Sequence, residues 1–171
     1  MRPLVTHAVV SGLALSVVLG ALLLAVIRAN AEIMLNDYPP DIKAKWGPMT
    51  VRTKRQRWLA GGTFLVAILA IVAWSLQTLP AFAARELTFA SAFAHFAIMF
   101  GIFNAFDWLV IDCGLVYYQP RFVILPGTEG MAGYRDYRFH FRGFLIGIPV
   151  VLLASALAAA VVSTLLHAWR E

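Results

Sequence analysis

Four long apolar blocks restrict what this chain can fold into more than any other feature of its sequence. They cover about residues 4–28, 58–79, 87–113 and 143–169, and only the third contains carboxylates. Each block is long enough to cross a bilayer as a helix, which takes about 20 residues. A helix also satisfies its own backbone amides in hydrocarbon, whereas a barrel strand would alternate and need only about 10 residues. The blocks therefore predict four transmembrane helices.

The composition agrees with a lipid environment, since 61% of the 171 residues are hydrophobic and only 13% are charged. A soluble domain has about a quarter of its residues charged, and the mean hydropathy here is +0.77. We predict an all-α fold in a single integral membrane domain, residues 1–171: a four-transmembrane-helix bundle with two structured cytoplasmic loops. The single cysteine, Cys113, excludes an intramolecular disulfide and a cysteine-cluster metal site, and no cofactor is predicted.

The fourteen Lys and Arg residues divide unevenly between the two sides of the membrane. With four spans, both termini and the second loop share one side, which holds Arg2, Arg85 and Arg170. Because basic loops stay in the cytoplasm, we predict a bacterial inner (plasma) membrane protein, multi-pass, with both termini outside and both long loops cytoplasmic. The first and third loops hold the other eleven: Arg28, Lys43, Lys45, Arg52, Lys54, Arg55, Arg57, Arg121, Arg135, Arg138 and Arg142.

This topology explains the net charge of +5, so no nucleic-acid partner is predicted. The run RTKRQRW, residues 52–58, is expected to contact anionic headgroups, which makes membrane lipids the predicted partner. A cleaved signal peptide ending near Ala29-Asn30-Ala31 is the alternative topology. It is disfavoured because the first block exceeds the usual length of about 7–15 residues, and because cleavage would place the basic first loop outside.

Small residues recur at helical spacing in three blocks and predict where helices touch, because helices in lipid associate through close backbone approach. They also offer surfaces for a possible homo-oligomer. The stripes are Ala8, Gly12, Ser16 and Gly20 in the first block, Ala90, Ala94, Ala97, Gly101 and Ala105 in the third, and Gly143, Gly147, Ser155, Ala159 and Ser163 in the fourth.

Three polar residues interrupt the third block near its cytoplasmic end: Asn104, Asp107 and Asp112. At about 100° per residue they fall on one side of the helix, continuing the small-residue stripe, whereas His95 points to the opposite side. A carboxylate that faces lipid is costly, so intramembrane acids usually face the bundle interior. We therefore expect these side chains to face the bundle near the inner interface.

The leading candidate site joins these residues with polar side chains of the third loop, which connects the third and fourth blocks. It would be a polar pocket for a proton, a cation, a lipid headgroup or a small polar molecule. The alternative is structural, with Asp107 and Asp112 paired to Arg121, Arg142 or a first-loop arginine to lock the loops to the bundle. The candidate residues are Asn104, Asp107, Asp112, Tyr118, Arg121, Glu129, His140 and Arg142.

The remaining histidines give a weak metal signal. His7, His95 and His167 all lie toward the outer side and could together bind haem or a transition metal, but no pair on one helix has i, i+4 spacing. Single interfacial imidazoles usually lie beside aromatics such as Trp169, so no metal is predicted.

His140 could be drawn with Asp136 or Cys113 as a catalytic pair, but no nucleophile or metalloprotease motif supports an enzyme.

The loops have the composition of ordered segments. Residues 121–125, between two prolines, predict a short extended stretch, and PGTEG predicts a turn. Together with LNDYPPDIKAKWGPMT and NAFDWLVID, the segments PRFVILPGTEG and YRFHFRGFL resemble the pattern of a family of uncharacterised bacterial four-helix integral membrane proteins. That resemblance implies the four-helix architecture and no known activity.

The sequence thus favours a binding or transport module with a carboxylate site at the cytoplasmic membrane interface. One alternative is a membrane-bound enzyme that acts on a lipid-like substrate with the same carboxylates and His140. The other is an accessory or structural membrane subunit whose charged loops dock a partner.

Overall fold

The computed structural model of the chain describes residues 2–84 and 86–168, apart from the side chains of Arg2 and Ala83. Within these ranges it is all-α, without a strand, which confirms the predicted fold class. The helices are Arg2–Ala29, Pro40–Trp46, Val51–Thr78, Pro80–Ala83, Phe89–Phe106, Cys113–Tyr118 and Tyr137–Ala168, with a π-helical turn at Asp107–Asp112 and 3-10 turns at Ala31–Asp37, Arg121–Val123 and Ala132–Arg135.

Four of the helical segments are long and apolar enough to cross a membrane, as predicted. We name them the first span (Pro3–Ala29), the second span (Val51–Thr78), the third span (Phe89–Tyr118) and the fourth span (Tyr137–Ala168). We call the end of the bundle that carries the loops of residues 30–50 and 119–136 the loop end, and the opposite end the terminal end.

The helices extend beyond the apolar blocks at the loop end because polar caps start them early. The second span begins at Val51, where the Thr50 hydroxyl accepts a hydrogen bond from the Thr53 amide at 3.1 Å. The fourth span begins at Tyr137, where the Asp136 carboxylate accepts from the amides of residues 138 and 139, both at 3.0 Å. Trp169, the predicted last residue of the fourth block, lies outside the described residues, as do Arg85 and Arg170.

The third span is the centre of the bundle, since it packs against both the first and the fourth spans. The second span packs mainly against the first and is peripheral: 6% of its apolar window is buried, against 39% for the first span. Large side chains from the first and third spans, including Leu15, Leu19, Phe96 and Met99, fill the main core.

The small-residue stripe of the first span lies directly against the third span, which confirms that it marks a helix contact. Ala8, Gly12, Ser16 and Gly20 are all buried. A Cβ atom added at Gly12 would lie 2.9 Å from the carbonyl oxygen of Met99, and one at Gly20 would lie 3.0 Å from a ring carbon of Phe106. The small-residue stripe of the first span is therefore covered by the third span of the same chain.

The expectation that the stripe of the third span faces the bundle is wrong for its terminal half. The buried residues there are Ala92, His95, Phe96 and Met99, whereas a Cβ atom at Gly101 would meet no atom within 4 Å. Close approach needs a small residue on only one of two helices. The first span supplies that residue, so the third span can present large side chains to it.

The two long loops are ordered and pack on each other around Leu35, Ile42, Leu125 and Tyr134. The predicted extended stretch at 121–125 is wrong, because a 3-10 turn at Arg121–Val123 follows Pro120. The Tyr38 hydroxyl donates to the carbonyl of Val123 at 2.7 Å. Burial, followed by repulsion from Tyr134 and Asp37, raises the pKa of Tyr38 far above its ordinary value.

The Asp41 carboxylate ties the first loop to the third by accepting a hydrogen bond from the Gly133 amide at 2.9 Å. Within the third loop, the Tyr134 hydroxyl accepts from the Leu125 amide at 2.9 Å and lies 2.7 Å from the Thr128 hydroxyl. These bonds satisfy buried backbone groups that have no helical partner. They give the loop end a rigid cap.

Replacing Gly12 by Ala should destabilise the bundle, because the new methyl group collides with the backbone of the third span. We expect a loss of about 1–3 kcal/mol, measured as a lower melting temperature of the purified protein in detergent. Gly101→Ala is the matched control, since its Cβ meets open space, and it should melt at the wild-type temperature or slightly higher. Equal melting temperatures for the two variants would contradict this packing.

Candidate functional site

The two aspartates of the third span bracket a π-helical turn, Asp107–Asp112. The amide of Cys113 donates to the carbonyl of Trp108, five residues back. A π-turn inserts one extra residue into an α-helix and re-aims the side chains around it, and such turns are frequent at functional sites. A helical wheel with uniform spacing therefore cannot place Asp112 correctly relative to Asp107.

Asp112 pairs with His140 of the fourth span, with 3.2 Å between its Oδ1 and the imidazole Nδ1. The pair is partly buried, with 17% of the His140 side chain and 26% of the Asp112 side chain exposed. It joins the third and fourth spans at the loop end. A carboxylate held against Nδ1 fixes the ring orientation and leaves Nε2 available to another group.

Asp107 lies about one turn before this pair and is half-buried. Asp112, Asp37 and His140 all lie near enough to interact with it electrostatically. Asp37 already has a cationic partner, because Arg57 donates to its carboxylate at 3.1 Å. Three carboxylates therefore share one arginine and one histidine at the loop end.

The arginine lock, the structural alternative for these acids, is not formed. In the described part of the chain the salt bridges are Arg57–Asp37 and His140–Asp112. Arg121 and Arg142 are exposed and make neither of them. Among the residues that the structure describes, no arginine forms a salt bridge with Asp107.

Asn104 lies between the third and fourth spans on the same side of the bundle. Its amide nitrogen donates to the carbonyl of Phe144 at 3.2 Å. Gly147 makes room for this contact, since a Cβ atom there would overlap the Asn104 amide group. Trp108 packs between Phe141 and Phe144, with ring centroids 5.0 and 4.9 Å away.

The other predicted site residues lie at the surface of the loop end. Tyr118 is 78% exposed and packs against Tyr117. Glu129 is exposed and caps its own turn, where its Oε1 accepts from the Gly127 amide at 3.0 Å. Its own backbone amide and that of Gly127 lower the pKa of Glu129. The hydrogen bonds of these residues do not reach Asp107 or Asp112, so their part in the site stays a prediction.

His95 is placed differently from its prediction. It is fully buried between the first three spans, and its ring lies 5.5 Å from that of His7 between centroids. The expectation that it points away from the bundle is wrong, because the third span has neighbours on both sides. His167 is exposed near the end of the fourth span. Among the residues that the structure describes, no group of three or more His, Cys, Asp or Glu could hold a metal ion.

A groove of about 570 Å³ opens at the loop end between the first loop and the start of the second span. Lys54 and Arg57 line its polar rim, and Trp58 and Phe64 line its apolar part. Sequence reasoning expected basic residues at this interface but did not predict a groove. The groove lies beside Asp37, through its contact with Arg57.

Comparisons of the chain with protein-family models, curated proteins and solved structures find no match. The four apolar helices support a four-span membrane protein. The resemblance to a bacterial family stays a prediction.

Replacing Gly147 by Ala should push the Asn104 amide away from Phe144 and loosen the contact between the third and fourth spans. We expect a destabilisation of about 1–2 kcal/mol, measured by thermal unfolding in detergent. Gly143→Ala, one turn earlier on the same helix, is the control because its Cβ meets no atom within 4 Å. If Gly147→Ala melts at the Gly143→Ala temperature, Asn104 does not occupy this place.

Proposed function

We propose that this chain is a membrane-embedded binding or transport module for a proton or a small cation. The site would consist of Asp107, Asp112, His140 and Asn104 at the loop end. The observation that carries the proposal is the half-buried Asp107 carboxylate at a π-turn, which forms no salt bridge with any arginine of residues 2–84 and 86–168.

The charge balance around Asp107 favours a positively charged ligand. Asp37 and Asp112 add negative charge, and among the described residues Arg57 and His140 oppose it. An unpaired carboxylate in or near hydrocarbon is expensive, and intramembrane acids commonly mark ion paths and proton relays. A bound proton or cation would neutralise this excess charge.

The Asp112–His140 pair supplies a way for the ligand to act on the bundle. It joins two spans through one contact of 3.2 Å. A cation bound at Asp107 would compete with His140 for interaction with the Asp112 carboxylate. Its binding would therefore change the distance between the third and fourth spans. A transporter needs this kind of coupling between site occupancy and helix position.

An enzymatic role is the second candidate, because an aspartate–histidine pair can also act in general acid–base catalysis. The substrate would be a lipid-like molecule that reaches His140 from the bilayer. Incubating the purified protein with a membrane-lipid extract separates the two roles, since only an enzyme would form a new product and lose it with His140→Phe.

The topology and partners that we propose follow the charge distribution. The loop end would face the cytoplasm of a bacterial cell, because it carries eleven of the fourteen basic residues. Anionic lipids would bind at the groove beside Lys54 and Trp58. Four spans enclose little space, so transport would use a homo-oligomer.

Asp107→Asn should remove the response of the protein to protons or cations while leaving it folded. We would measure the melting temperature in detergent from pH 5 to 8, and with Na⁺, K⁺, Mg²⁺ or Ca²⁺ at fixed pH. The wild type should be stabilised by at least one of these conditions and the variant should not. Glu129→Gln is the matched control, because Glu129 is exposed and caps only its own turn. An Asp107→Asn response equal to that of Glu129→Gln would refute the site.

Single cysteines introduced in a Cys113→Ala background should report the proposed orientation. Ala44 and Glu86 are exposed, the first in the first loop and the second in the second loop. A membrane-impermeant maleimide should label Glu86→Cys in intact cells and Ala44→Cys only after permeabilisation. The reverse pattern would show that the loop end faces outward.

A further inference from the structure

Side chains from the first three spans form a chain of hydrogen bonds in the terminal half of the bundle. Thr78 lies 3.0 Å from Nε2 of His7, and Nδ1 of His7 lies 3.4 Å from the Ser11 hydroxyl. The Ser75 hydroxyl donates to Ser11 at 2.8 Å and lies 2.9 Å from Nε2 of His95. This series of hydrogen bonds therefore runs without a break from the exposed Thr78 to the buried His95.

The inner residues of this hydrogen-bond series are fully buried. Ser11, Ser75 and His95 are each 0% exposed. Hydrogen bonds between membrane helices contribute only about 0.6 kcal/mol each on average, so stability gives little reason to bury so many polar groups. Ser155 and Ser16, which are also buried, bond only to carbonyls of their own helices.

Counting hydrogens assigns the tautomer of each ring. Ser75 has one hydrogen and gives it to Ser11, so Nε2 of His95 must be the donor to Ser75. Ser11 then gives its hydrogen to Nδ1 of His7. It follows that Nε2 of His7 donates to Thr78, whose own hydrogen goes to the carbonyl of Trp74 at 2.8 Å. The hydrogen bonds between the spans thus donate in one order: His95 to Ser75, Ser75 to Ser11, Ser11 to His7, and His7 to Thr78.

This assignment leaves Nδ1 of His95 without a hydrogen. The atom is buried and has no hydrogen-bond partner in the described structure. The carbonyl of Leu4 lies near the ring, and it is an acceptor that could bond to Nδ1 only if Nδ1 carried a proton. A proton added to Nδ1 could therefore be donated in a hydrogen bond to this carbonyl.

We propose that these five residues form the terminal half of a proton path through the bundle. A proton from hydronium adds to Nδ1 of His95, and the Nε2 proton of the same ring passes to Ser75. The hydrogen of Ser75 passes to Ser11, and that of Ser11 to Nδ1 of His7. The Nε2 proton of His7 leaves through Thr78, which is exposed, to water at the terminal end. One proton enters, one leaves, and both rings are neutral before and after.

The surroundings of His95 favour passage of a proton through its ring over a lasting positive charge on the imidazole. His7 is the titratable group that faces it from the first span. Residues 58–78 of the second span and 143–166 of the fourth contain no ionisable side chain, so an imidazolium at His95 would have no counterion from them. A proton accepted at one ring nitrogen is therefore released from the other.

This inference rests on the proposed function in its proton form. Asp107 lies twelve residues further along the third span, about 18 Å away along the helix axis. Phe96 and Met99, both 0% exposed, lie next to His95 on that route. An apolar layer of this kind conducts only when water enters it, so it would act as the gate between the two sites.

Proton flux into liposomes that contain the full chain tests the path, with a pH-sensitive dye inside and a potassium–valinomycin potential as the driving force. Ser75→Ala should lower the flux by about tenfold or more, because the gap left between Ser11 and His95 exceeds hydrogen-bond length. Ser155→Ala is the matched control and should conduct like the wild type, since Ser155 bonds only to its own helix. Ser11→Ala provides a second, independent break in the chain.

Equal flux through Ser75→Ala and Ser155→Ala would overturn the relay and leave the site at Asp107 standing. Wild-type flux no greater than that of empty liposomes would also overturn the relay, while the melting experiment on Asp107 would still decide the proposed function. Nitrogen NMR of histidine-labelled protein adds a readout that packing alone does not change. It should show Nε2 of His95 protonated and Nδ1 bare, and the opposite tautomer would refute the direction of donation.

Discussion

The close approach of the first and third spans is the contact on which the rest of this structure depends. At Gly12 the two backbones leave no room for a Cβ atom. The neighbouring Ser11 accepts a hydrogen bond from Ser75 of the second span, and Ser75 in turn lies 2.9 Å from His95 of the third span. Two turns further on, Gly20 receives the ring of Phe106, the residue just before Asp107. One stripe of small residues thus positions both polar regions of the third span.

The third span separates these regions by apolar side chains. Near its terminal end it carries His95, and at its loop end it carries Asn104 and the π-turn with two aspartates. Between them Phe96 and Met99 are fully buried. A helix with polar groups at both ends and a dry middle matches the pattern of a path closed at its centre, in which opening is a change of hydration and small helix movements.

The sequence was sufficient to predict the fold but only part of the candidate site. Long uncharged blocks dictate spans because backbone amides must be satisfied in lipid, and the stripe around Gly12 dictates a contact because close approach needs small residues. The π-turn at Asp107–Asp112 depends on how the third and fourth spans pack, which uniform helical spacing cannot express. Uniform helical spacing places His95 on the wrong face because one stripe cannot describe a helix with neighbours on two sides.

Two arginines of the loop end make contacts that do not involve Asp107 or Asp112. Arg57 is held by the carbonyl of Ile33 at 2.8 Å and by Asp37, so it anchors the first loop. Arg28 lies over the ring of Phe122, 5.6 Å from its centroid, and so connects the first span to the third loop. These cations stabilise the rigid cap at the loop end instead of neutralising Asp107. Because Arg28 and Arg57 are engaged in these contacts, they leave the Asp107 carboxylate open to the proposed ligand.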